Sequence, residues 1–166
     1  MVSSTTRRAR GSQRTSVTGV DTWLLTLVAD GATQRVAEAV APAELTVDQW
    51  RVLDYLAYDG PCTMSRLAAA TNINGATLTR LTDHLISRAL VYRVADELDR
   101  RRVLVRLADH GRRTVRRVRP RVLAAEADAT AALAPEEREQ LVALLRRVAP
   151  ADAARIHRDW STPAEQ

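Results

Sequence analysis

The chain has no lysine, a single cysteine and no apolar run long enough to cross a membrane. With lysine absent, all 25 basic residues are arginine, set against 20 acidic residues for a formal net charge of +5. An arginine bias of this kind is what a GC-rich coding sequence would give. The basic balance bears on a polyanionic partner, not on fold. With Cys62 alone there is no intrachain disulfide, and nothing implies an oxidising compartment. Nucleophile motifs, phosphate-binding loops and metal-ligand clusters are also missing; His84, His110 and His157 have no ligand spacing with one another. These absences argue against an enzyme and against any metal or cofactor.

At 166 residues there is material for one well-packed domain. Arg7, Arg8, Arg10 and Arg14 precede the apolar run Trp23 to Ala29, a superficial copy of a secretory leader. Asp21 and Asp30 bracket that run closely, and its helical rhythm continues through Val36 and Val40, so the reading is cytoplasmic. Residues 1–17 have almost nothing to bury and read as a flexible basic arm, either a disordered leader or a contact for nucleic-acid phosphates.

Val20, Trp23, Leu24, Leu27 and Val28 recur on one helix face, and Pro42 closes the segment. Thr46 and Gln49 then form a capping box, with Leu45 and Trp50 placed for a hydrophobic staple. Trp50 is open to a second reading, as the lining of a ligand pocket. This helix runs to about Ala57 before Gly60-Pro61. A short helix from about Met64 to Ala70, a turn at Thr71–Asn74 and a helix from Gly75 to Arg88, with Leu78, Leu81 and Leu85 inward, make a helix-turn-helix unit. Leu90–Val94 and Arg102–Leu107 read as strands around the charged tip Asp96-Glu97-Leu98-Asp99-Arg100-Arg101. A hairpin with an arginine-rich tip directly after a helix-turn-helix is a winged helix. Beyond it a helix from Asp109 holds Pro120, where a kink is expected, and another begins at Pro135 and ends at Arg146-Arg147. A tail helix through Ile156 and Trp160 is expected last.

From Leu45 to Gly111 the sequence resembles the MarR (multiple antibiotic resistance regulator) family. The segments that carry the likeness are LTVDQWRVLDYLA, TMSRLAAATNINGATLTRLTDHLISRALVYR and DELDRRRVLVRLADHG. Two positions depart from the family pattern. Ala89 stands where glycine usually ends the recognition helix, and Ala108 where threonine often opens the helix after the wing, leaving Asp109 to cap.

The resemblance implies a mainly α fold with a small β-hairpin wing: a winged helix-turn-helix core flanked by N- and C-terminal dimerisation helices. The expected divisions are the arm 1–17, a dimerisation helix 18–44, the DNA-binding domain 45–108, dimerisation helices 109–160 and a tail 161–166. A homodimer repressor on double-stranded DNA follows. Asn74, Gly75, Ala76, Thr77, Thr79 and Arg80 would face the major groove, with Arg80 reading guanine or simply solvated. In the wing, Arg101 would enter the minor groove with Asp99 orienting its guanidinium, while Arg100 and Arg102 meet phosphates. Family members are often released by small phenolic or aromatic effectors. Trp23, Arg35, Trp50 and Arg51 are conceivable lining residues, but the sequence assigns no pocket. Cys62 reads as a small packed residue, with a redox sensor as the alternative.

Overall fold

Helix α1 (Thr22–Val40) begins where the Asp21 carboxylate accepts the backbone N–H of Trp23 at 2.9 Å, and a 3-10 turn, Ala41–Ala43, closes it at Pro42. This computed structural model describes residues 21–149. The predicted arm, residues 18–20 of the first helix, the tail helix at Ile156 and Trp160 and the tail 161–166 lie outside that range. Helix α2 (Val47–Asp59) opens with the predicted capping box: Gln49 N–H donates to Thr46 Oγ1 at 3.2 Å, and Gln49 Oε1 accepts from Thr46 N–H at 2.9 Å. Leu45 and Trp50 are both buried in the core cluster, at the two positions a hydrophobic staple uses. The helix runs two residues past Ala57 before Gly60 and Pro61 end it.

Three antiparallel strands follow the order β1-β3-β2: β1 (Cys62–Thr63), β2 (Val91–Ala95) and β3 (Val103–Leu107). Val91 pairs with Leu107 at the base of the hairpin and Ala95 with Val103 toward its tip, while Cys62 pairs with Val105. The wing hairpin was legible in the sequence; β1 was not, because two residues are too few to show alternation. Both wing strands start one residue later than predicted. Leu90 is used to terminate a helix, and Arg102 N–H closes the wing turn on Asp99 O at 2.8 Å.

Between β1 and β2 lie α3 (Met64–Thr71) and α4 (Gly75–Ser87). Leu78 and Leu85 of α4 are fully buried and Leu81 half-buried, as their spacing predicts. The face also buries Thr82, whose hydroxyl donates to Met64 Sδ at 3.8 Å. Helix α4 stops in a Schellman arrangement, with Ala89 N–H on Ile86 O at 2.9 Å and Leu90 N–H on Leu85 O at 3.0 Å. That geometry puts Ala89 at φ +53°, the left-handed region expected at this position.

Helix α5 (Asp109–Ala129) runs through Pro120 without interruption, with α1 packed along it. Its first turn corrects one expectation. Ala108 occupies the N-cap position, and Asp109 is inside the helix, its carboxylate 3.4 Å from Arg112 Nε instead of on a backbone N–H. Gly111 is fixed by sterics: a Cβ there would lie 2.1 Å from Leu90 O and 2.7 Å from Leu107 Cδ2. The core gathers Val52 and Leu53 of α2, Leu67 of α3, Leu85 of α4, Val105 of β3 and Val118 of α5. The buried Asp54 carboxylate pairs with Arg119, tying α2 to α5. Helix α6 (Pro135–Val148) differs from all of these, since none of its residues is buried within the chain.

Candidate nucleic-acid interface

With Leu78, Thr82 and Leu85 turned into the core, the opposite face of α4 has to meet solvent, and that face holds the residues singled out in the sequence. Asn74, Gly75, Ala76, Thr77, Thr79 and Arg80 are all exposed. Two of their side chains are already engaged by the helix. Asn74 Oδ1 accepts Thr77 N–H at 2.9 Å as the N-cap, and Thr79 Oγ1 donates to Gly75 O at 2.8 Å. Gly75 has open space around it: a Cβ would meet nothing within 4 Å, so the chain's own packing does not require glycine. Arg80 has no ion-pair partner among the described residues.

The wing tip is a tied turn that carries free cations. Asp96 N–H donates to Arg102 O at 3.0 Å, Leu98 N–H to Asp96 Oδ1 at 3.0 Å, and Arg101 N–H to Asp99 Oδ1 at 3.1 Å. Asp99 therefore acts differently from expectation. Its carboxylate holds the backbone of Arg101 in an Asx turn and does not pair with the Arg101 guanidinium. Arg100, Arg101 and Arg102 are exposed and make no ion pair among the described residues. Their charges are free to act outward.

Two arginines that sequence reasoning passed over fix these parts in place. Arg93 of β2 pairs with Asp83 of α4 at 2.8 Å, joining the wing to the recognition helix. Arg88, at the end of α4, donates to Glu44 O at 2.5 Å and to Ala43 O at 3.1 Å. Both partners are distant in sequence, so no local pattern announced them.

An open groove of about 540 Å³ lies beside the wing, lined in part by Cys62, Ser65, Arg66, Asp96 and Arg102. Of these, Arg66 is tied to Tyr55, whose Oη accepts from Arg66 Nε at 3.0 Å and donates to Asp59 Oδ2 at 2.7 Å. Burial first, and then the hydrogen bond to Asp59, push the Tyr55 hydroxyl up to about 12. Burial likewise pushes the Cys62 thiol up to about 11, with the Asp59 charge adding to it. A buried, protonated thiol fits the packed-residue reading of Cys62. Among the described residues no group of His, Cys, Asp or Glu is arranged to hold a metal ion, and no helix is long and apolar enough to cross a membrane.

Residues 43–102, from the 3-10 turn through the wing tip, match the sequence profile of the MarR family. The chain belongs to that family of DNA-binding transcriptional regulators. This MarR-family chain is 33% identical over 70 residues to an HTH-type transcriptional regulator, YhbI, of Bacillus subtilis. The match covers 42% of the chain and 46% of YhbI, less than half of that relative's length. Solved structures extend the likeness to the flanking helices. A mutant MarR of E. coli complexed with operator DNA superposes with a TM-score of 0.71 at 26% identity, covering 77% of this chain and 92% of that one. BpsR of Bordetella bronchiseptica, whose DNA binding is regulated by 6-hydroxynicotinic acid, superposes at 0.69 with 30% identity, covering 75% and 95%.

Proposed function

We propose that this MarR-family chain is a cytoplasmic, non-enzymatic repressor that binds a pseudopalindromic operator as a homodimer and is released by a small aromatic ligand. One observation carries the reading. A helix start with small, exposed residues and a tied turn with three unpaired arginines lie on the same winged domain. Gly75 and Ala76 leave room for a base-pair edge, and Arg80 reads guanine through two hydrogen bonds. Thr77 and Thr79 meet a thymine methyl or a phosphate. Arg101 enters the minor groove, where a narrow groove concentrates negative potential, and Arg100 and Arg102 neutralise phosphates. Asp99 serves them by fixing the turn.

Support for the homodimer comes from what the single chain leaves uncovered. A 14-residue helix is marginal alone in water, yet no residue of α6 is more than partly buried within the chain. On α1, Trp23, Leu24, Leu27 and Val28 are each more than half exposed. Covering both helices with a second copy solves both problems under two-fold symmetry. That symmetry sets two recognition helices about 34 Å apart, one turn of DNA. The dimer doubles the formal charge from +5 to +10. BpsR supports an aromatic acid as effector, acting by favouring a dimer whose recognition helices are wrongly spaced.

The rival is an architectural protein that binds any duplex. Anisotropy competition between the gene's own upstream DNA and random DNA separates the two. A regulator is expected to prefer the upstream sequence by ~10³-fold or more. Equal affinities would overturn the proposal. A screen of aromatic acids for release of that complex then identifies the effector class.

A further inference from the structure

The joint between α1 and α2 is short. It consists of the 3-10 turn Ala41–Ala43, then Glu44, then Leu45 and the cap residue Thr46. Glu44 is in the left-handed region at φ +54°, with its N–H on Ala41 O at 2.8 Å, so its own carbonyl is turned away from the helical path. Into this bend reaches one side chain from the far end of the recognition helix. Arg88 occupies the C-cap position of α4, and its guanidinium donates to Glu44 O at 2.5 Å and Ala43 O at 3.1 Å, with Glu44 Oε2 at 3.5 Å. Its side chain is 27% exposed. Among the described residues these are the only side-chain hydrogen bonds between residues 41–44 and α4. Two donors in a rigid plane hold two successive carbonyls; an ammonium, a point donor on a flexible stem, has no equivalent fork.

We propose that Arg88 is a positioning residue that locks the angle between the dimerisation helix and the recognition helix, and thereby sets the half-site spacing the dimer accepts. This rests on the homodimer reading above. In that arrangement α1 belongs to the two-fold interface and α4 to the DNA, and the joint at residues 41–44 is where one turns against the other. The lever is long. Thirteen residues of α4 at about 1.5 Å each give an arm of about 20 Å. Swinging such an arm by about 10° moves its outer end by about 3.4 Å, which is one base-pair step. A grip on two consecutive carbonyls suppresses a swing of that size. The same grip is the element an effector would have to loosen or re-set, because spacing of the two α4 helices is what the operator reads.

The test uses the full-length chain and three duplexes from its own upstream DNA: the native operator, and versions with one base pair added or removed at the dyad. Affinity is measured for wild type, Arg88→Gln and Arg88→Lys, with dimer mass and thermal unfolding recorded alongside. Wild type is expected to prefer native spacing by about a hundredfold, taking a misplaced half-site as costing one to two poorly made base-pair contacts. Arg88→Gln is expected to narrow that preference to within about tenfold while remaining dimeric, and Arg88→Lys to fall between. An unchanged spacing preference in both variants would overturn the proposal, even with weaker overall binding, because uniform weakening marks an ordinary stabilising contact. Should Arg88→Gln fail to fold, Arg88→Lys decides the question alone by the same ratio. Wild type that binds no upstream duplex better than random DNA would remove the regulator reading itself, a result distinct from a flat spacing profile.

Discussion

Ala89 adopts a backbone conformation that suits glycine better. At φ +53° its Cβ crowds the following carbonyl, a strain of about 1–2 kcal/mol for an L-residue. Ala89→Gly relieves it but adds freedom to the unfolded chain, which returns about 0.4–1 kcal/mol. The net expectation is a gain of about 0.5–1 kcal/mol, seen as a higher midpoint in urea with an unchanged slope. Gly111 is the opposite case. Alanine there would drive a methyl into Leu90 O, and that carbonyl cannot step aside without losing the hydrogen bond it accepts from Ala108 N–H at 3.0 Å. Gly111→Ala is expected to destabilise by about 1–3 kcal/mol or more, measured in the same titration. Cys62 gives a third residue-scale expectation. Raised from 9.0 to about 11 by burial, its thiol supplies about a hundredfold less thiolate at neutral pH than a free one. Ellman's reagent should leave the native protein unmodified over minutes and react at once in denaturant; rapid native reaction would restore the redox-sensor reading. By linkage the same shift contributes stability below pH 9 that is lost as pH rises toward 11.

At the scale of elements, legibility in the sequence followed the range of the interactions. The capping box at Thr46 and Gln49 spans three residues and was read correctly, as was the inward face of Leu78 and Leu85. The wing was visible because alternation, charge and position agree over Leu90 to Leu107. What escaped was long-range or backbone-directed. Arg88 meets residues 44 and 45 positions away in the chain, and β1 exists only because β3 lies beside it. The role of Asp99 escaped for a different reason. An Asp two residues before an Arg suggests a side-chain pair, but a carboxylate at a tight turn finds the nearer backbone N–H first. This sharpens what the wing should do. Since Asp99 orders the turn and leaves the guanidinium free, Arg101→Ala would remove the proposed DNA contact without loosening the tip. Operator affinity is expected to fall by at least tenfold with the melting temperature unchanged, and the salt dependence should become shallower by about one unit if Arg101 neutralises a phosphate. A lost affinity with an unchanged salt slope fits the minor-groove role proposed for Arg101, a shallower slope reassigns it to a phosphate, and unchanged affinity would reject the wing role.

For the whole molecule, two helices of the single chain leave apolar side chains open to solvent. Helix α6 has no buried residue, and of α1 only Val40 is buried. Monomeric proteins rarely leave contiguous apolar patches above a few hundred Å² exposed. The operator reading also needs two copies, because one recognition helix reads one half-site. The proposed dimer interface would meet both demands, and one experiment tests it. Leu24 and Val28 stand one turn apart on α1, at 58% and 60% exposure, outside the folded core of the chain. Leu24→Glu with Val28→Glu puts two like charges into the proposed interface while touching nothing buried within the chain. Light scattering is expected to show a monomer that keeps the winged domain's helical signal. Linked half-site binding then disappears, and operator affinity should fall by about 10²–10⁴-fold, the advantage that tethering two sites confers. Half-site duplexes separate the causes: the monomer should bind them as well as wild type does, since α4 and the wing are untouched. A variant that remains dimeric would move the interface away from this face of α1, toward Val142, Leu145 and Val148 of α6, and the same double charge placed there would decide it.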